Sequence, residues 1–338
     1  MNTTSTARTQ THRMERASMD HILDFMPRIL ARGWRSAAVV LLALCVTAPA
    51  GAAIAATAQR SFDSADAAAS ALVQAVKAHD RAAMLAILGA DANNWISSGD
   101  AGADRAAAGN FVAAYDQKHT IAPDGETRAT LQIGPDDWPF AFPLVKTGAG
   151  WHFDTQAGKT ELLARRIGAN ELAVINVMLA IADAEHDYAS ADHNRNGVPE
   201  YARKFISSPG KQDGLYWPTK AGEPPSPLGP LVTGATAEGY KKSSKGPTPY
   251  HGYYFRMLRA QGPHAKGGAF DYVVRGWMIG GFAAIAYPAR YDNSGVMTFI
   301  VNHDGVVYQK DLGPETAKIA RGITRFDPGP GWTPTSPK

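Results

Sequence analysis

The spacing of apolar residues predicts three helices at the start of the segment from residue 60 to 160. Asp63 is expected to cap the first helix, whose apolar positions recur with the 3.6-residue period. Asp80 opens a second, shorter helix that Gly89 ends, and Phe111 and Tyr115 mark the apolar face of a third. Helices therefore come first in this part of the chain.

Short runs of β-type residues follow, separated by turn residues, at Arg128 to Ile133, Phe140 to Lys146 and Trp151 to Thr155. Helices followed by neighbouring strands predict a curved antiparallel sheet wrapped on helices. We therefore expect an α+β fold over residues 59–160.

A longer helical period occupies residues 161–191 and is expected to break at Gly168. Five strands are predicted after it, at Tyr250 to Arg259, Tyr272 to Met278, Phe282 to Tyr287, Val296 to Asn302 and Val306 to Asp311. The turn from His303 to Gly305 between the last two indicates a hairpin. Residues 218–249 hold seven prolines, which favours a long ordered loop or flap. The second predicted domain is 161–321, with a tail at 322–338.

Residues 1–58 have the pattern of a signal peptide with an overlong polar start. Arg28, Arg32 and Arg35 precede an apolar run from Ala37 to Val46, and small residues suited to cleavage follow it. The run has about ten residues, whereas a membrane span needs roughly twenty. We expect export to the periplasm or beyond, with no transmembrane segment in the mature chain.

The formal charge of the chain changes when residues 1–58 are left out. Residues 1–58 contain six arginines and three acidic residues, which leaves 28 basic and 28 acidic residues from totals of 34 and 31. A neutral mature chain gives no basic face for nucleic acid, so no nucleic-acid partner is expected. Cys45 is the only cysteine, which excludes a disulfide or thiol chemistry from the mature chain.

Four strings carry a family resemblance: WPFAFPLVKTGAGWHFDT at 138–155, RRIGANELAVINVMLAIADAEHDYA at 165–189, KQDGLYWP at 211–218 and GVMTFIVNHDGVVYQKDLG at 295–313. On these strings the chain resembles the bacterial exported proteins catalogued as domain of unknown function 2950, from about residue 60 to 320. The family carries no established activity. The order of elements at 59–160 is similar to a ketosteroid-isomerase-like cone, and the long helix with its following sheet is similar to a pilin head; both are fold analogies.

One candidate binding surface is aromatic and polar. Aromatic faces with a few fixed hydrogen-bonding groups suit stacking on a sugar ring, a peptide or a partner loop. The residues are Asp213, Tyr216, Trp217, Tyr250, Tyr253, Tyr254 and Arg256. The alternative is that strand alternation places part of this set in the core of the sheet.

A candidate metal site lies between residues 192 and 200, where oxygen-bearing groups alternate before a glycine as in the first half of a calcium loop. Its ligands would be Asp192, Asn194, Asn196, the Val198 carbonyl and Glu200. Arg203 stands where an EF-hand supplies its closing carboxylate, so binding of calcium would be weak. The alternative is a polar turn.

A third set of residues, in the cone, has the types that isomerases use as base and oxyanion donor: Trp95, Tyr115, Asp116, His119, Asp137 and Trp138. Turn and core positions explain the same residues. We expect a two-domain α+β envelope protein acting as a non-enzymatic binding or assembly module for an envelope protein, glycan or peptide. The alternative is a hydrolase or isomerase that acts on an envelope component.

Overall fold

The computed structural model describes residues 59–195, 197–238, 240 and 246–335, and all of these belong to the unit Ala55–Lys338. The predicted signal peptide at 1–58 lies outside the described residues. Within them the fold is α+β, as expected, with six α-helices and antiparallel sheets.

Three helices come first, as the apolar period predicts: α1 (Ala65–Lys77), α2 (Arg81–Leu88) and α3 (Ala101–Gln117). Ser64, one residue after the predicted Asp63, caps α1 by accepting the amide of Ala67. Asp80 caps α2, and Gly89 ends it at a φ of 89°, which a residue with a Cβ rarely adopts. Local capping chemistry thus sets the ends of these helices.

An antiparallel sheet follows. Its strands are β1 (His119–Asp124), β2 (Arg128–Ile133), β3 (Trp138–Pro139), β4 (Leu144–Thr147) and β5 (Gly150–Phe153). Their order in space is β1-β2-β4-β5, with β3 paired to β2. The bounds predicted for β2 are confirmed. No strand is predicted from the sequence at the position of β1. The buried side chains of α1 and α2 form a first hydrophobic core with Leu131, Leu144 and Phe153 of this sheet.

Helix α4 (Thr155–Tyr188) is one continuous helix of 34 residues, so the predicted break at Gly168 is wrong. Gly168 is exposed and nothing lies within 4 Å of the position a Cβ would take. A helical glycine costs about 1 kcal/mol relative to alanine, which packing on both sides of it outweighs. This helix is also long and apolar enough to cross a membrane by length and composition. Here one face of the helix, from Val174 to Tyr188, is buried in the second hydrophobic core.

The second large sheet has five strands: β6 (Tyr253–Leu258), β11 (Ala283–Pro288), β12 (Met297–Asn302), β13 (Tyr308–Asp311) and β14 (Thr333–Pro334). Their order is β14-β13-β12-β11-β6, and every neighbouring pair is antiparallel. The predicted hairpin at His303 to Gly305 is confirmed by the pairing of β12 with β13. Residues Val174 to Tyr188 of α4 and the strands β11 and β12 supply much of a second hydrophobic core.

The remaining elements are short: α5 (Gly229–Ala237), β7 (Ala260–Gln261), β8 (Phe270–Asp271), β9 (Val273–Val274), β10 (Trp277–Met278) and α6 (Thr316–Gly322). The strand predicted from Tyr272 to Met278 is in fact a tight hairpin of β9 and β10, because Arg275 and Gly276 both have positive φ. Helix α5 lies inside the proline-rich loop, and Pro230 occupies its first turn, where no amide is needed.

Candidate functional site

An apolar cavity of about 640 Å³ is lined mostly by residues between Leu72 and Asn170. Helices α1 to α3, the start of α4 and residues Glu238, Tyr240 and His251 of the loop before β6 surround it. Its apolar walls include Leu72, Met84, Trp95, Phe111, Phe140 and Phe142. Cavities of this size with mainly apolar walls and a few polar groups are typical of small-molecule sites.

The aromatic wall of the cavity is a continuous set of ring contacts. Trp95 stacks on Phe142 with centroids 5.5 Å apart, and Phe140 lies 4.9 Å from Phe111 and 5.4 Å from Phe142. Gly158 of α4 allows the ring of Phe142 to approach the helix, because a Cβ at that position would meet the ring. The wall is therefore held in one shape by its own packing.

Arg166 of α4 is a half-buried cation on the cavity wall. Its Nη1 donates to the carbonyl of Trp95 at 2.9 Å and to Oδ1 of Asn293 at 2.7 Å, and its Nη2 donates to the carbonyl of Ile96 at 3.4 Å. Burial lowers the pKa of Arg166 from its ordinary value, although an arginine stays charged in proteins. The cavity thus contains a positive charge next to an aromatic wall.

The carboxylate of Asp104 also borders the cavity, but the chain itself satisfies it. It accepts the hydroxyls of Ser97 and Ser98, each at 2.7 Å, and the amide of Ser98 at 3.0 Å. Asp104 thereby holds the turn that leads into α3, and its oxygens are occupied by these donors.

A hydrogen-bond network at Asp100 holds the loop that forms the last wall. Asp100 is fully buried and caps α3 through Oδ1, which accepts the amides of Gly102 and Ala103. Its Oδ2 accepts the hydroxyl of Tyr240 and the amide of Gly252, both at 2.9 Å. Burial and then the charge of Asp100 raise the pKa of Tyr240, so its hydroxyl remains a donor.

His251 and Glu238 face each other on this wall, with Nε2 and Oε2 separated by 3.7 Å. His251 has a φ of 47°, an uncommon conformation for a residue other than glycine. Burial lowers the pKa of His251, which favours the neutral imidazole near pH 7 even though Glu238 and Asp100 act in the opposite direction. A neutral imidazole beside a carboxylate is able to accept a proton.

The aromatic and polar residues that the sequence suggested as a binding surface have separate neighbours. Tyr253 is fully buried in the second core and donates to the carbonyl of Met297 at 3.0 Å. Arg256 donates to the carbonyls of Ala320 and Ile323. Both side chains therefore stabilise the sheet and its flanking helix, as the alternative interpretation predicts.

The other members of that set also lie apart. Asp213 pairs with Lys204 at 2.8 Å, and Tyr216 and Trp217 are half-buried against the second core. Tyr254 contacts Tyr287, with ring centroids 5.8 Å apart. Tyr250 alone is close to the cavity, because its ring lies 4.0 Å from the imidazole of His251.

In the predicted calcium loop, the oxygens of two carboxylates accept hydrogen bonds from the chain. Oδ2 of Asp192 accepts the amide of Gly197 at 2.8 Å. Glu200 is buried and accepts the amide of Met278 and the side chain of Asn194, each at 2.9 Å. Asn196, another predicted ligand, lies outside the described residues, and Val198 follows Gly197 in the turn. No cluster of three or more His, Cys, Asp or Glu suited to a metal occurs within the described ranges.

Of the six cone residues, only Trp95 lines the cavity. Tyr115 stacks on His119 with centroids 3.7 Å apart, and Asp116 and Asp137 form surface ion pairs with lysines. Trp138 is 61% exposed and carries the guanidinium of Arg165 over its ring. These residues form no common site.

Sequence reasoning missed Arg166 and Tyr240, which line the cavity, and Asp100, which holds its walls together. A signal existed for Asp100, because an aspartate two residues before a glycine in an alanine-rich run is a helix cap. No local pattern indicates that Tyr240, 140 residues later, meets this carboxylate.

Comparisons with known proteins return one match. The model of a family described as "Protein of unknown function (DUF2950)" matches residues 59–335 of the chain. No curated protein and no solved structure matches it.

Proposed function

Since the chain belongs to the DUF2950 family, whose description states no activity, we propose its function from its own geometry: it binds an apolar small molecule outside the cytoplasm. The observation that carries this proposal is the cavity of about 640 Å³ with its aromatic wall. Transfer of an apolar ligand from water to such a wall is favourable by roughly 25 cal/mol per Å² of apolar surface buried. This role is a non-enzymatic binding module.

The export part of the proposal rests on residues 1–58. The basic residues, the short apolar run and the small residues after Val46 are typical of a cleaved signal. The mature chain should then begin between about Ala50 and Gln59. N-terminal sequencing of protein recovered from the periplasm or medium tests this, and an intact Met1 or Met26 would exclude cleavage.

Binding in the cavity is tested with phenylnaphthylamine, a neutral dye whose emission rises in apolar sites. Ala107 is on an exposed stretch of α3 and borders the cavity, whereas Ala113 is exposed on the same helix and does not. Ala107→Trp should weaken dye binding by roughly tenfold or more, because the indole would occupy ligand space. Ala113→Trp should leave binding unchanged. A wild-type protein that fails to bind the dye, or equal binding by both variants, contradicts the proposal.

A hydrolase or isomerase remains the second candidate, and the pair of His251 and Glu238 is the observation that favours it. A histidine oriented by a carboxylate is a common general base. His251→Asn would remove the base while suiting the left-handed backbone, which asparagine tolerates. Loss of turnover of an ester or amide in this variant, with dye binding retained, would identify an enzyme.

A further inference from the structure

The cavity contains a charge for which no described residue provides a contact ion pair. No carboxylate of a described residue lies within 4.0 Å of the Arg166 guanidinium, whose three hydrogen bonds all go to neutral acceptors. Arg165, the neighbouring arginine on the same helix, instead pairs with Glu161 at 2.6 Å. Burying a cation without an anionic partner is costly, so Arg166 favours the entry of an anion.

The surroundings of Arg166 add a second positive charge. Arg290 lies close enough to lower the pKa of Arg166 further, and its guanidinium donates to the carbonyls of Ser97 and Asn94 at 2.8 Å. Asp104 is the negative charge that acts on Arg166, but the two serines and the Ser98 amide already occupy its oxygens. Arg290 thus offsets part of the influence of Asp104 on Arg166.

The donors of Arg166 that no described residue uses suit a carboxylate. A guanidinium has five N–H groups, and the three hydrogen bonds use both of those on Nη1 and one on Nη2. No described residue accepts from the other two N–H groups, one on Nε and one on Nη2. A guanidinium can offer such an Nε and Nη2 pair of donors to the two oxygens of a carboxylate in a bidentate pair.

We infer that the ligand of the cavity is an amphiphile with one carboxylate head, a long-chain carboxylic acid, whose head pairs with Arg166 and whose chain lies along the aromatic wall. This inference rests on the proposed function, because it requires that the cavity bind an apolar molecule. It adds the chemical class of that molecule and the residue that recognises its head.

The test compares two ligands that differ only in the head, dodecanoate and dodecanol, as competitors for phenylnaphthylamine bound to the full protein. The wild type should bind dodecanoate at least about tenfold more tightly than dodecanol, as expected for a charge-assisted pair. Arg166→Gln should bind both ligands with the affinity of dodecanol. Arg166→Lys should keep part of the preference through its charge.

Arg128→Gln is the control, because Arg128 is an exposed arginine of β2 that does not border the cavity. It should retain the preference for dodecanoate. Equal affinities of the two ligands in the wild type would overturn the inference and leave the proposed function intact. Failure of the dye and dodecanol to bind would instead overturn the proposed function. If Arg166→Gln does not fold, the wild-type preference and its loss at a pH that protonates dodecanoate decide the question.

Discussion

The hydroxyl of Tyr240 donates a hydrogen bond of 2.9 Å to the buried carboxylate of Asp100. The same carboxylate caps α3 and accepts the amide of Gly252. One side chain thus fixes both the start of a cavity helix and the loop that forms the opposite wall. The shape of the cavity therefore depends on the hydrogen bond between Tyr240 and Asp100. A substitution can remove this bond and leave the carbon atoms that line the cavity in place.

Tyr240→Phe removes this hydrogen bond and leaves the ring in place. We expect a loss of roughly 1 to 3 kcal/mol of unfolding free energy, because the buried carboxylate loses one donor. The measurement is urea unfolding. Tyr254→Phe is the control, since the Tyr254 hydroxyl makes no hydrogen bond to a described residue and should be removable at little cost. Equal stability of both variants would show that the Asp100 contact contributes nothing.

Alanine substitutions at two glycines of α4 should change the unfolding free energy in opposite directions. Gly168→Ala should raise the unfolding free energy by about 0.5 to 1 kcal/mol, because the site is open and alanine favours the helix. Gly158→Ala should lower it by roughly 1 to 3 kcal/mol, since its Cβ would meet the ring of Phe142. Thermal unfolding of the two variants measures both effects. The same sign for both would be inconsistent with the packing of Phe142 on α4.

Glu185 should make the protein less stable as the pH rises. It is fully buried, and burial raises the pKa of its carboxyl well above the ordinary value of 4.5, while the amide of Ala202 acts in the opposite direction. The folded state therefore holds the proton more tightly than the unfolded state, and unfolding free energy falls from about pH 4.5 toward the raised pKa.

Glu185→Gln should remove this pH dependence and stabilise the protein above the raised pKa, because the amide oxygen can still accept from Ala202. Unfolding measured between pH 4 and pH 8 gives the comparison. Asp183→Asn, on the exposed side of the same helix, is the control and should keep the wild-type slope. If Glu185→Gln keeps the wild-type slope of unfolding free energy against pH, the pH dependence comes from groups other than Glu185.

Calcium binding at residues 192–200 stays a prediction. Saturating calcium should stabilise the fold by RT ln(1 + [L]/Kd), roughly 1 to 2 kcal/mol at ten times Kd, and Asp192→Ala should abolish the gain. Melting curves in millimolar calcium and in chelator measure the shift. Identical curves would identify the segment as a polar turn held by the hydrogen bonds of Asp192 and Glu200.

The parts of the fold that the sequence predicts are those decided by neighbouring residues. Asp80 and Gly89 act on the helix between them, and the turn at His303 to Gly305 pairs the strands beside it. Gly168 is the converse case. A glycine in a helix costs less free energy than the packing of this helix on two cores contributes, so the helix continues through it. Local signals fail wherever a distant contact contributes more free energy.

Local sequence patterns cannot predict the candidate site, because the residues that form it are far apart in sequence. Arg166 donates to Asn293 and to the carbonyl of Trp95, which are 127 and 71 residues away. The sequence predicts a strand from Tyr250 to Arg259, whereas β6 begins only at Tyr253 and ends at Leu258. Which of its aromatic residues faces the core depends on the sheet register, which places Tyr253 in the core.

Helix α4 belongs to both hydrophobic cores, because Leu162 and Leu163 pack on the first and the residues from Val174 onward on the second. At about 1.5 Å per residue it is a rod of roughly 50 Å. Neither core can come apart without exposing part of the same rod, so the two should melt in a single cooperative transition. A molecule bound beside Arg166 would then protect the far sheet from hydrogen exchange and proteolysis as well as its own cavity, although it touches no residue of that sheet.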